Sequence, residues 1–256
     1  MSVNIGYAGD REISVDILKF IKNKGVKPKA LLISSEKKSS HGQELIELCN
    51  HLEMSNIFRG NEFKKNESIK KLQNLNLDYI ISIHFPHIYP RPILDIPKHG
   101  IINLHPAYLP YNRGWHTPTW AIYEDTPFGA TLHFIGEGLD SGDIINREKL
   151  EIKPEDTAHS LYTKVLEVEK KLFKESWDDL VNFEYERVPQ NLKKGTKHTK
   201  DDIKKIQRIS LDEKVEIEKL IKKLKALTTN KVSEAAYFKK DGKRYRIQIN
   251  IEREDK

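Results

Sequence analysis

The chain of 256 residues holds a single cysteine, Cys49. A lone thiol closes no internal disulfide, so nothing in the sequence requires an oxidising compartment. The ten histidines show no metal-type pattern, because none stands i, i+4 from another and Cys49 has no thiol companion; no metal is expected, and the pattern argues against a zinc hydrolase. No apolar run approaches the ~20 residues of a membrane span. With 32% charged residues and a mean hydropathy of -0.63 the chain reads as soluble, without membrane contact. Met1-Ser2-Val3-Asn4-Ile5 runs straight into a strand pattern with no signal peptide, which makes the cytoplasm the expected location. Gly6-Tyr7-Ala8-Gly9-Asp10-Arg11 falls short of G-x-G-x-x-G, so a dinucleotide redox cofactor is not supported.

Charge is present but dispersed. The net charge is +6 and the pI about 9.1. Lysines such as Lys64-Lys65, Lys70-Lys71, Lys204-Lys205 and Lys222-Lys223 sit on helix-like segments with acids nearby, the pattern of a solvated surface. A modest positive field also suits a phosphate-bearing small molecule, and composition does not separate that from nucleic acid.

Apolar runs at strand length alternate with helical periodicity over the first two-thirds. Strands are expected at 3–8, 30–33, 79–83, 100–104, 130–135 and 143–152, with helices near 13–24, 44–52, 69–75, 118–123 and 158–180. A βαβα rhythm implies an α/β fold with a Rossmann-like, mostly parallel sheet covered on both faces. Its ligand site is then expected at the carboxyl ends of the strands. Beyond about residue 183 the pattern changes to a polar stretch, an amphipathic helix over 213–227 and a β-hairpin over 234–252 turning at Asp241-Gly242. The division expected is a catalytic domain over 1–183 and a small C-terminal helix and hairpin region over 184–256. The hairpin alternates Tyr245, Ile247, Ile249 and Ile251 with polar residues, a candidate homodimer surface.

The richest stretch is Gly100 to Arg147. Asn103 and His105 are two apart at the end of an apolar run, so on a strand both side chains leave one face. Asp140 follows 35 residues after His105 in a Gly-rich turn. An imidazole that moves a proton near neutral pH, a carboxylate that orients it and an amide that donates to an oxyanion form a set suited to acyl transfer. Taken singly, an Asn or Asp in a turn more often serves backbone geometry. The three together with Pro106, Leu109-Pro110, Gly114 and Asp140-Ser141-Gly142-Asp143 favour catalysis, while Asp143 reads as structural and His84, His87, His99 and His133 as local contacts.

The wording N-x-H-P-x-x-L-P-x-x-x-G, then G-A-T-L-H and L-D-S-G-D-I-I, resembles the 10-formyltetrahydrofolate-dependent formyltransferase family, with weaker similarity over about residues 1–180. Tyr108 to His116 and the C-terminal segment are most similar to the members that formylate amino sugars on a nucleotide. The resemblance implies Asn103, His105 and Asp140 as catalytic residues and 10-formyltetrahydrofolate as co-substrate. The folate would be held largely by backbone of Phe85, Pro86, His87 and Ile88 and of Gly136, Glu137, Gly138 and Leu139. It implies an acceptor such as a thymidine diphosphate 4-amino-4,6-dideoxyhexose, whose products feed surface polysaccharide assembly. For that acceptor Tyr7, Gly9, Asp10 and Arg11 offer a strand-to-helix turn, and Asn112, Arg113, Trp115 and His116 offer cations beside an aromatic ring. Tyr185, His198 and Tyr237 are further candidates. Two rival functions stand beside this one: formylation of methionyl-tRNA or glycinamide ribonucleotide, and folate or nucleotide-sugar binding without turnover. The short C-terminal region argues against tRNA.

Overall fold

The computed structural model of the chain describes residues 3–37 and 39–254; Met1 and Ser2, at the head of the expected first strand, lie outside them. Two compact units interleave along the sequence, one built from Met1–His105, Thr131–Asn146 and Glu169–Pro189, the other from Pro106–Ala130, Arg147–Val168 and Gln190–Lys256.

The elements, in chain order, begin with β1 (Ile5–Gly9), α1 (Glu12–Asn23), β2 (Ala30–Ile33), α2 (Gly42–Leu48), β3 (Ile57–Arg59), α3 (Asn66–Asn74), β4 (Tyr79–Ile83), α4 (Arg91–Leu94) and β5 (Gly100–His105). They continue with β6 (Arg113–Gly114), α5 (Thr117–Tyr123), β7 (Phe128–Phe134), β8 (Ile144–Leu150), α6 (Ala158–Asn182), β9 (Lys197–His198), α7 (Ile203–Ile206), α8 (Ile217–Ala226), β10 (Ala236–Lys240) and β11 (Lys243–Ile247).

The main sheet has seven strands in the order β3-β2-β1-β4-β5-β7-β8. From β3 to β5 every pairing is parallel, and β7 returns antiparallel to β5. This is the α/β, mostly parallel sheet expected from the sequence. Every residue of β1, β2 and β4 is buried, as continuous apolar strands covered on both faces require. Helix α1 presents Ile13, Ile17, Leu18 and Ile21 to the core at i, i+4, i+5 and i+8. Gly25 follows at φ 81, the left-handed stop that glycine adopts without strain. Around α3, Phe58, Phe63, Leu72 and Ile80 join Ala8, Leu32 and Ile101 in one cluster, with Ile69 and Leu75 packed against it.

In the second unit β6 pairs in parallel with β9, and α8 packs on α5. Ile203, Leu227 and Ala236 form a small core with Ile206, Ile209 and Leu224 against it. Strands β10 and β11 make the expected hairpin: Asp241 at φ 50 and Gly242 at φ 71 are the paired left-handed residues of a type I′ turn. The hairpin is shorter than expected, ending at Ile247, and α8 starts at Ile217. Among the described residues no helix is long and apolar enough to cross a membrane.

Candidate active site

Strand register builds the site. Ile83 at the end of β4 is paired with Leu104 of β5 and with Gly9 of β1. The turn after β1 and the His105 end of β5 therefore share one edge of the sheet, two strand spacings or about 10 Å apart. Antiparallel pairing sets His133 opposite Asn103 and Thr131 opposite His105. Asn103, His105, Thr131 and His133 thus share one face, three of them buried and Asn103 partly so.

Asp140 reaches this face from the loop between β7 and β8. Gly142 closes that loop: a Cβ there would lie 2.0 Å from the Phe134 carbonyl oxygen, and the Phe134 N–H donates to the Asp143 carbonyl at 2.8 Å. Asp140 itself has φ 44, a left-handed position that Asp tolerates better than most residues. Its carboxylate lies between two imidazoles, Oδ2 at 3.6 Å from His105 Nε2 and Oδ1 at 3.8 Å from His133 Nε2. Both separations are longer than hydrogen bonds. His105 Nε2 is buried and makes no hydrogen bond.

His133 is a member of the site that sequence reasoning treated as a local contact. Its Nδ1 faces the Phe134 carbonyl at 2.8 Å, so that nitrogen carries the proton. Nε2 then accepts from Asn103 Nδ2 at 3.2 Å. Complete burial lowers the His133 pKa from 6.5 to about 4 against the opposing pull of Asp140, and keeps the ring a neutral acceptor. One amide hydrogen of Asn103 is held by His133, leaving the second free to donate across the site. The only sequence signal was His133 closing the G-A-T-L-H run.

The two segments expected to hold folate by backbone lie in the first unit. Phe85 and His87 are 5.0 Å apart and pack with Phe63 and Tyr89, whereas Pro86 and Ile88 are exposed. In the second segment Gly136, Glu137 and Leu139 are half-buried to exposed, and Glu137 accepts from Arg91 at 2.6 Å. Arg91 lies outside both expected segments, on α4.

Of the acceptor candidates in the first unit, Tyr7 is fully buried and donates to the Ser14 carbonyl at 2.5 Å, and burial raises its pKa well above 10. Its phenol is a core group. Gly9 lets the chain pass Ser14, whose Cβ would be 2.6 Å from an added side chain. Asp10 is buried and accepts from Ser39 Oγ at 3.0 Å and from the Ser40 N–H at 3.1 Å, tying two loops together. Arg11, exposed at the start of α1, carries the free cation of this turn.

Asn112 to His116 belong to the second unit. Asn112 is fully buried, donating to Thr126 Oγ1 at 2.7 Å and accepting from Thr196 Oγ1 at 3.1 Å, so its amide serves the framework rather than a ligand. Arg113 is buried with an unbonded Nε, and no carboxylate of the described residues lies within ion-pair distance of it. Trp115 is exposed with Lys200 Nζ 5.4 Å above its ring. His116 caps α5 at φ 57, with Nε2 3.3 Å from the Lys200 carbonyl and Nδ1 3.7 Å from Glu234; burial lowers its pKa. His198 stacks on Trp120 at 3.9 Å and meets Glu124 at 3.2 Å, Tyr185 accepts from Tyr79 at 2.9 Å, and Tyr237 lies under Arg244 at 4.2 Å. All three are packed by protein. Among the described residues no group of His, Cys, Asp and Glu is arranged to hold a metal.

A sheet-end histidine flanked by an asparagine and an aspartate, on a mostly parallel α/β sheet, is an arrangement suited to acyl transfer. The chain belongs to the formyltransferase family: the formyl transferase family model matches residues 7–176, and a model described as the N-formyltransferase dimerization C-terminal domain matches residues 202–253. It is similar to a dTDP-4-amino-4,6-dideoxyglucose formyltransferase of Mycobacterium bovis, 27% identical over 69% of this chain and 74% of the relative. A methionyl-tRNA formyltransferase of Alkaliphilus oremlandii is 27% identical over 76% of this chain, which spans 64% of that relative's length. Among solved structures, a 4-N formyltransferase from Francisella tularensis superposes with a TM-score of 0.79 at 27% identity, covering 98% of each chain.

Proposed function

We propose that the chain is a sugar N-formyltransferase, moving the formyl group of 10-formyltetrahydrofolate to the amine of a dTDP-linked 4-amino-4,6-dideoxyhexose. The observation that carries the reading is the Asn103, His105 and Asp140 cluster on the end of β5, with His133 fixing the Asn103 amide. The family motifs support the donor, and similarity to a dTDP-4-amino-4,6-dideoxyglucose formyltransferase over 69% of this chain, beside that to a 4-N formyltransferase over 98% of it, supports the acceptor.

In this mechanism the neutral amine attacks the formyl carbon, and Asn103 donates to the oxygen that gains charge. His105 takes the proton released by the attacking nitrogen and returns it to the leaving nitrogen of the folate as the old carbon–nitrogen bond breaks. Asp140 steadies the imidazolium formed in between, since opposite charges 3.6 Å apart in a partly buried site attract strongly. The products are a formamide and tetrahydrofolate. A positioned acid–base group contributes about 100-fold to 10,000-fold, and an oxyanion donor about 100-fold to 1,000-fold.

The folate lies against the backbone of 85–88 and 136–139, where Pro86, Ile88 and Leu139 are exposed. Arg11, exposed at the start of α1, is the cation of the first unit suited to acceptor phosphate. We read residues 1–183 as the catalytic part and 184–256 as an appended dimer-forming region in a cytoplasmic enzyme. The methionyl-tRNA relative motivates a second reading, and transfer assays at two salt concentrations separate them. Formylation of the dTDP-amino sugar with little salt dependence supports the sugar; steep loss with salt, and product only on methionyl-tRNA, supports the second reading.

A further inference from the structure

Helix α6 buries Leu161, Val165, Leu172, Phe173, Ser176 and Leu180 along one face, and the position on that stripe where an apolar residue is due carries Glu169. Glu169 is fully buried, and its two oxygens lie 2.9 and 3.0 Å from one atom, Nε2 of His84. Dehydrating a carboxylate is costly and is tolerated only where a charged or donating partner meets it. A glutamate kept here to hold one histidine has a task other than packing.

That histidine stands where β4 ends. Ile83 pairs with Leu104, so His84 leaves the sheet at the edge that carries His105. It does so at φ 50, a backbone state that few side chains other than Asn, Asp and His adopt readily. The chain then runs through Phe85, Pro86, His87 and Ile88, with Ile88 80% exposed, and returns at Tyr89, whose hydroxyl donates to Ser82 Oγ at 3.1 Å. The exposed segment is pinned at both ends, by His84 on Glu169 and by Tyr89 on Ser82.

We infer that Glu169 and His84 form a buried clamp that fixes the backbone of 85–88 in its donor-binding shape, making both of them positioning residues for the formyl donor. The link to the donor rests on the folate reading above; the clamp itself does not. His84→Asn keeps the left-handed backbone and removes the contact, and Glu169→Gln keeps the shape and an acceptor oxygen. Expected for His84→Asn is faster amide exchange over 85–90, a dissociation constant for tetrahydrofolate raised about 10-fold, and an unchanged one for the dTDP-amino sugar; Glu169→Gln falls between it and wild type. Thermal melts identify any unfolded variant, and the exchange and binding results are then read on the other. Unchanged exchange over 85–90 in a folded variant overturns the clamp. Faster exchange with unchanged tetrahydrofolate affinity, or equal weakening of both ligands, overturns its role in donor binding. If wild-type protein binds no tetrahydrofolate, the donor reading fails while the exchange data still judge the clamp.

Discussion

His133→Phe retains a ring of similar size in a fully buried position and removes the nitrogen that Asn103 Nδ2 contacts at 3.2 Å. The loss is worked from two bounds. Deleting an oxyanion donor altogether costs about 100-fold to 1,000-fold in kcat. Here the donor stays and loses only the hydrogen bond that selects its orientation, a neutral contact worth about 0.5–1.5 kcal/mol net. The expected fall in kcat is therefore about 2-fold to 13-fold, with little change in KM, because in the proposed mechanism the amide acts on charge that develops after binding. Initial rates of tetrahydrofolate release at saturating donor and acceptor measure it. Because His133 works through Asn103, the same change in an Asn103→Ala background should cost almost nothing further. Full kcat in a folded His133→Phe protein, or an equal loss in both backgrounds, refutes the assignment.

Three other outcomes follow from the geometry. His105→Ala should lower turnover by at least about 100-fold while tetrahydrofolate binding, followed by calorimetry, stays near wild type. Stability should fall on acidification: the unfolded chain takes up a proton at His133 below about pH 6.5 and the folded chain only near 4, so up to about 3 kcal/mol is lost progressively between those values, and chemical melts at a series of pH values should show less of this loss in His133→Phe. Truncation before Glu234 removes the hairpin whose Phe238 and Tyr245 rings stack at 5.3 Å, and should convert a dimer to a monomer in light scattering; a soluble dimer contradicts the proposed surface.

The strands that the sequence makes legible are those buried on both faces. Ala30–Ile33 and Tyr79–Ile83 match to the residue because an unbroken apolar run has only one place in a covered parallel sheet. Strand β3 escaped notice, since three residues ending in Arg59 at a sheet edge carry no periodic signal. The amphipathic pattern over 213–227 overstated its helix, which runs from Ile217 to Ala226. At the site, Asn103 and His105 were legible as a pair because period two acts within one strand. His133 was not, since its place depends on antiparallel register with a strand 30 residues away. Glu169 was equally hidden: one acid on an apolar helix face gains meaning only with His84, 85 residues earlier, beneath it. Tyr7 and Asn112 show the opposite failure, polar groups near the motifs whose hydrogen bonds turn inward.

The most direct test supplies purified protein with 10-formyltetrahydrofolate carrying an isotopically labelled formyl group and a dTDP 4-amino-4,6-dideoxyhexose, and follows the sugar by mass spectrometry. One labelled formyl group on the sugar amine is expected with wild-type protein, and almost none with His105→Ala. An unmodified sugar in the presence of protein that binds tetrahydrofolate, or equal transfer by His105→Ala, would contradict the proposed function.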